Sequence, residues 1–271
     1  MDKLFTSIKN QFSPIQPTVG STGGNVTYVE ATPAIGLSNL VHCYWELKTG
    51  QPLSQSFVYR VVADGCIDLL WETANPSDNF IIGFSNSYTE FPLNNSFHYF
   101  GLRFLPSAFP ILFGVAASEL TDRFAFLEEV LPSLSKEIAE VADGVQTLGE
   151  LKPKLDAYLL KVLGNSDLVL DPRFGHAVSL ILQSKGLVKV QEELDTGISP
   201  RQLRRLFSFY IGESPKTFAK IVRFQQFLNA KPSKESLRKN KVFYDAGYYD
   251  HAHFVKEFKH MYGETPSSAL H

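Results

Sequence analysis

Arg201, Arg204 and Arg205 are spaced so that a helix would carry all three on one side. Each guanidinium is a planar fork of donors that can meet guanine O6 and N7, or a phosphate, with two bonds at once. A second set follows at His251, Ala252, Val255, Lys256 and Lys259. There the ammonium groups suit phosphates, and the small apolar groups suit the methyl of thymine. Such chemistry recognises a polyanion and makes or breaks no bond.

The elements that would position these residues are written twice. Asp250 is a good N-cap, and Phe254, Phe258 and Met261 recur at i, i+4 and i+7 to form one buried stripe. Gly263 is placed to end that helix in a left-handed conformation. Shifting the chain by 51 residues superposes Ser199 on Asp250, Leu203 on Phe254 and Phe207 on Phe258. The same shift brings Gly212-Glu213-Ser214-Pro215 onto Gly263-Glu264-Thr265-Pro266. Ser199 with Pro200 and Gln202 has the form of a capping box with proline at the first helical position. Two capped helices, each preceded by a helix and a turn, describe tandem helix-turn-helix units.

At these residues the chain resembles the AraC/XylS family of bacterial transcription regulators. The resemblance rests on Ser199-Pro-Arg-Gln-Leu-Arg-Arg-Leu-Phe207, Gly212-Glu-Ser-Pro215, Arg223, Gly247-Tyr-Tyr-Asp-His-Ala-His-Phe254 and Gly263-Glu-Thr-Pro266. It implies sequence-specific binding of double-stranded DNA through both units, with base edges reached from Arg201, Arg204, Arg205, His251, Ala252, Val255 and Lys256. It also implies RNA polymerase as a partner if the protein activates. The pattern departs from the family at Glu193 and Phe243, where small residues are usual, and leaves little room for a closing helix after Pro266. The N-terminal region resembles an atypical sensor domain of the same family through Tyr44-Trp45, Asp64-Gly65, Gly101-Leu-Arg-Phe104, Pro106 and Leu127-Glu-Glu-Val130. Such domains bind a small effector, mediate dimerisation, or both.

Charge divides the chain in the same place. Residues 172–271 hold 16 Lys/Arg against 9 Asp/Glu, whereas residues 1–171 hold 10 against 19, for a net charge of −2. A basic module tied to an acidic one assigns the nucleic acid to the C-terminal region. Two cysteines, Cys43 and Cys66, are too few for a disulfide framework or a zinc cluster. No signal segment and no run of about 20 apolar residues is present, so a cytoplasmic protein without a membrane partner is expected.

Hydrophobic patterning predicts an α+β chain. Residues 1–24 read as a mobile lead-in with an amphipathic turn at Leu4, Ile8 and Phe12. Strands are expected at 25–30, 40–47, 57–63, 66–71, 80–84 and 97–104, with Asp64-Gly65 as a hairpin turn. Helices are expected at 107–115, 119–130, 133–141, about 148–162, 172–182, 188–195 and 215–229. The domains are then a strand-rich sensor or dimerisation domain (1–131), a helical linker (132–170) and an all-α tandem helix-turn-helix module (171–271).

Arg60 and Arg103 stand alone as arginines of the strand region, between apolar neighbours. Either could clamp a carboxylate or phosphate effector, or close an internal ion pair with Asp64, Asp68 or Glu72. His251 and His253 would point about 200° apart on a helix and do not make a metal pair; no metal and no cofactor is expected. No G-x-S-x-G elbow, phosphate loop or H-E-x-x-H occurs, and neither cysteine has a Pro-Cys-His context, so no catalytic residue is assigned. The expected protein is a DNA-binding regulator controlled by a small effector or by dimerisation. Alternatives are a regulator whose N-terminal domain binds a protein and, last, an enzyme fused to a DNA-targeting module.

Overall fold

The computed structural model describes residues 3–17, 24–166, 170–190, 194, 196–240, 242–248 and 250–270. After α1 (Lys3–Gln11), eight strands follow: β1 (Val26–Ala31), β2 (Val41–Thr49), β3 (Phe57–Val61), β4 (Ile67–Glu72), β5 (Asn79–Ile82), β6 (Thr89–Leu93), β7 (His98–Phe104) and β8 (Phe124–Phe126). Their pairings are antiparallel: a six-stranded sheet of order β1-β2-β7-β4-β5-β8 and a two-stranded sheet β3-β6. Helix α2 (Ala108–Phe113) precedes β8, and α3 (Leu127–Val130), α4 (Pro132–Ala142) and α5 (Leu148–Gly164) follow it.

Period-2 alternation gives the large sheet two buried faces. Tyr44, Leu69, Trp71, Phe100, Leu102 and Phe104 point to the side covered by Leu134, Ile138, Leu151 and Leu155 of α4 and α5. Cys43, Trp45, Leu47, Leu70 and Ile82 point to the other side, which the β3-β6 pair closes with Tyr59 and Val61. On that side Gly101 has no room for a Cβ, which would lie 2.1 Å from the Trp45 ring. The ring therefore lies flat on the strand, and its Nε1 donates to Asp68 Oδ1 at 2.9 Å.

The C-terminal helices are α6 (Pro172–Gln183), α7 (Pro200–Tyr210), α8 (Pro215–Asn229), α9 (Lys234–Asn240), α10 (Val242–Asp245), α11 (His251–Tyr262) and α12 (Pro266–Ala269). Their core is not theirs alone. Ile8 of α1 and Phe12 just after it, with Val62, Ala63, Cys66, Phe84 and Leu105, pack into one buried cluster with Phe174, Phe207, Phe218, Ile221, Phe254 and Phe258.

Several local expectations are corrected. Residues 3–17 are not a loose lead-in, because Phe5, Ile8 and Phe12 are buried and Gln16 is hydrogen-bonded to Val62 and Asp64; residues 18–23 lie outside the described ones. Asp64-Gly65 turns the chain, with Asp64 Oδ1 accepting the Cys66 N–H at 2.9 Å, yet β3 and β4 go to different sheets and form no hairpin. The segment 119–130 is not one helix. Asp122 takes a positive φ of 53°, and Phe124 and Phe126 alternate onto Phe80 at ring distances of 4.8 and 4.7 Å, which makes an edge strand of β8. Strand β6 was not among the expected strands; its Pro92 is tolerated because an edge strand can leave that position without a ladder donor. The closing helix after Pro266 is the single turn α12. The helix expected at 188–195, with Glu193, falls largely outside the described residues.

Arg103 ties the centre of the sheet, with Nε at 3.1 Å from Asp68 Oδ2 and 3.4 Å from Asp64 Oδ2. Burial lifts the Asp68 carboxyl to about 6, against the opposing pull of the guanidinium. Because the folded value stands above the unfolded one, its contribution to stability is full below about pH 4 and fades as pH rises through about 6. Arg103→Ala leaves two buried carboxylates without their cation and should cost about 3–5 kcal/mol at pH 7. The loss should shrink at pH 5, where a proton replaces the guanidinium; urea denaturation of the full chain at both pH values measures it.

Candidate nucleic-acid interface

The two repeated helices are started by the residues that the sequence marks. Ser199 Oγ accepts the Gln202 N–H at 3.2 Å, and Asp250 Oδ1 accepts the His253 N–H at 2.8 Å. Each bond satisfies a donor left over in the first helical turn. Only the forward half of the capping box forms at Ser199, since the Gln202 side chain does not return to the cap. Gly212 and Gly263 end the helices at φ 103° and 96°, a region that an L side chain rarely enters.

Burial then separates inner and outer faces. Leu203 and Phe207 of α7, and Phe254, Phe258 and Met261 of α11, are buried. Arg201, Arg204 and Arg205 are exposed, together with His251, Ala252, Lys256 and Lys259. Among the described residues none of the three arginines, nor Lys256 or Lys259, has an ion-pair partner. The arginine face borders an open groove whose far wall is Ala116 and Ser118. Val255 differs from the rest of its set: it is half-buried and packs on the core.

The second unit accommodates a large residue at Phe243 by stacking. Its ring lies 5.7 Å from Phe254 at an interplanar angle of 16°, and His251 meets it edge-on at 5.4 Å. His251 is thus partly held by its own core. The His253 side chain is exposed, and its Nε2 lies 3.7 Å from Glu257.

Helix α8 couples the units through a pair that the sequence did not single out. Arg223 Nη2 bonds Glu257 Oε1 at 2.6 Å, while its guanidinium lies 4.4 Å from the centre of the Tyr248 ring. Lys220 Nζ approaches the other oxygen of Glu257 at 3.3 Å. A charged residue on the buried stripe of α11, opposite an arginine of α8, was the available signal.

Arg60 and Arg103 lie in different settings. Arg60 is on β3 and bridges Glu90 at 2.9 Å and Glu264 at 2.6 Å. Arg103 is buried under the β3-β6 pair with Asp64 and Asp68; among the described residues its Nη1 has no hydrogen-bond partner, nor has the buried Tyr59 Oη. Glu30, His42 and Cys43 also gather, with ligand atoms within 4.8 Å of one another, because the β2 bulge between Val41 and Cys43 inserts His42 beside Cys43. Burial and the Arg103 charge hold His42 down at about 4. The same positive charge works against a cation there.

Residues 195–271 match a family model described as a helix-turn-helix domain, and residues 29–125 match a domain of unknown function, DUF6597. No curated protein matches the chain. Among solved structures, an apo single-substitution variant of ToxT from Vibrio cholerae strain SCE256 is 14% identical, with TM-score 0.39 over 90% of this chain and 95% of that one. ToxT from Vibrio cholerae in a P21 crystal form is 12% identical, with TM-score 0.38 over 90% and 96%. Among the described residues no helix is long and apolar enough to cross a membrane.

Burial pushes the Glu257 carboxyl up, but Arg223 and Lys220 outweigh it and hold the group below its ordinary value. The stabilisation is therefore full above an unfolded value of about 4.3 and is lost as pH falls further. Glu257→Ala should cost about 3–5 kcal/mol at neutral pH by stranding Arg223. The stabilities of wild type and Glu257→Gln should converge in acid; urea titrations between pH 7 and pH 3.5 follow both effects.

Proposed function

We propose how this chain, which belongs by its C-terminal domain to the AraC/XylS-type helix-turn-helix transcription regulators, reads DNA. Helices α7 and α11 enter successive major-groove faces, about 34 Å apart along one side of the duplex. Arg201, Arg204 and Arg205 grip guanines or phosphates for the first unit. His251, Ala252, Val255, Lys256 and Lys259 serve the second. The observation that carries this reading is the pairing of two capped helices whose outer faces expose basic side chains without ion-pair partners among the described residues.

The arginines make the first unit the stronger reader. Each guanidinium can hold a base by two bonds, whereas the second unit offers small apolar groups at the superposed positions Ala252 and Val255. The second unit then favours A·T pairs and tolerates substitution. RNA polymerase is a further partner if the bound protein activates.

For the N-terminal domain the proposed control is a small anionic effector seated between the large sheet and the β3-β6 pair. Arg103 Nη1 and Tyr59 Oη, both buried without an acceptor, support it, because orphaned buried donors are costly unless something pairs them. Bound there, the effector shifts the balance between DNA-competent and incompetent arrangements. Control by a protein partner, or by a second copy in a homodimer, has its own support in Phe124 and Phe126, which are about half exposed on the edge strand β8.

Binding of the full chain to duplex DNA should fall steeply with salt, each phosphate contact contributing about −0.9 to the log–log slope. Arg204→Ala or Arg205→Ala should cost about 1–3 kcal/mol and relax specificity at one position. Val255→Ala should cost less. Anisotropy titrations on duplexes selected from a random pool test all three; a flat salt response, or strongest selection of G-rich sequence under the second unit, overturns the assignment.

A further inference from the structure

The two repeats end on the same residues, Gly212-Glu213 and Gly263-Glu264, and the N-terminal domain holds both endings. At the first, Thr121 Oγ donates to Gly212 O at 2.8 Å and Asn86 Nδ2 donates to Glu213 Oε1 at 3.1 Å. At the second, Arg60 Nη1 donates to Glu264 Oε1 at 2.6 Å, the Tyr88 N–H to His260 O at 3.2 Å, and the Ala63 N–H to Met261 O at 3.1 Å. Both glycines are seated tightly. A Cβ on Gly212 would lie 2.7 Å from Thr121 Oγ, and one on Gly263 would lie 2.8 Å from Arg60 Nε.

Asn86 and Tyr88 belong to one short segment, residues 83–88, between β5 and β6. That segment is itself fixed. Asp122 accepts from both the N–H and the Nδ2 of Asn86 at 2.9 and 3.0 Å, and Gly83 N–H reaches Arg123 O at 3.1 Å. Arg60 is steadied on its other side by Glu90 and lies 5.7 Å from the Tyr88 ring. The ends of both recognition helices are therefore held in part by one connecting segment, through Asn86 at the first and Tyr88 at the second.

We propose that the N-terminal domain sets the half-site spacing that the protein accepts, with Arg60, Asn86 and Thr121 as positioning residues; the inference rests on the DNA-reading role proposed above. Helix α8, the Arg223–Glu257 pair and the shared aromatic core join the two units at their inner faces. Attachment at the far ends adds a second constraint on how one unit can tilt or turn relative to the other. The two grips then fix the distance and rotation between α7 and α11. On DNA that distance is a number of base pairs, and an error of one base pair also turns the groove by about a tenth of a helical turn. The half-exposed Arg60–Glu264 pair adds little stability by itself. Its work is geometric, and a change there should alter selectivity for spacing before it alters affinity for a half-site.

The test uses the full chain and a duplex selected by the wild type, then re-spaced between its half-sites by one or two base pairs. The wild type should prefer its own spacing by about tenfold or more, the range of an ordinary coupling between two sites. Arg60→Glu, which gathers three carboxylates, and Asn86→Ala should each erode that preference, while affinity for an isolated half-site stays within about twofold. The exchange Arg60→Glu with Glu264→Arg should restore it. Should Arg60→Glu fail to fold, Asn86→Ala and Thr121→Val apply the same test at the other grip. An undiminished preference in the variants, tighter binding at every spacing, or loss of half-site binding would each overturn the proposal. A wild type without salt-dependent duplex binding removes instead the DNA-reading role on which it stands.

Discussion

The apolar surface shared between the strand-rich domain and the C-terminal helices is the constraint on which the rest depends. Val62, Phe84 and Leu105 are buried in the same cluster as Phe218, Ile221 and Phe258. Burying three such side chains contributes on the order of 5–9 kcal/mol, which is comparable to the whole stability of an ordinary domain. Ile8 of α1 and the following Phe12 close that cluster, so residues early in the sequence seal helices late in it. The two capped helices are thus not a module on a tether. Polar bonds finish what burial begins: Gln225 Oε1 accepts the Ile15 N–H at 2.9 Å and its Nε2 donates to Ala63 O at 2.8 Å, which binds α8 to both partners across the shared core.

What could be read from the sequence was what is encoded locally. The caps Ser199 and Asp250, the stripes Leu203/Phe207 and Phe254/Phe258, and the stops Gly212 and Gly263 each act within a few residues, so spacing alone reveals them. The strands β1, β2, β4 and β7 were legible for the same reason. Strand β8 was not, because Phe-Ala-Phe embedded in Glu119–Val130 fits a helical spacing as well as an alternating one; Phe80 on β5 decides between them. The partners of Arg60 were also hidden. Glu264 is 204 residues away, and nothing in either neighbourhood distinguishes that carboxylate from others. Arg103 was half legible, since the sequence named its carboxylates Asp64 and Asp68 but not the vacant Nη1 beside them.

Charge works differently in the two halves. In the N-terminal half it is turned inward: Arg103, Asp64 and Asp68 are buried together, and Glu46 receives both Lys48 and His98, at 2.9 and 2.7 Å. Among the C-terminal helices the Glu257 carboxylate absorbs Arg223 and Lys220 from the inner face. The outer arginines and lysines are left to solvent. The excess of Lys/Arg over Asp/Glu in residues 172–271 gives that half a positive field, of the kind that favours a polyanion.

The inequality of the two recognition helices extends below their surfaces. Arg201, Arg204 and Arg205 stand exposed on α7, while their inner neighbours Leu203 and Phe207 are committed to the core. On α11 the core reaches further round: Phe243 fills the turn, His251 is engaged edge-on, and Val255 is half-buried. A reading face narrowed in this way keeps Ala252, Lys256 and Lys259 as its freely exposed members. In the proposed reading it holds phosphates and accepts an A·T edge, with few means to name a particular base. A unit that names few bases adds specificity mainly by where it is placed relative to its partner. The contacts available to hold that placement are those of α8 on one side and of Arg60, Asn86 and Thr121 on the other.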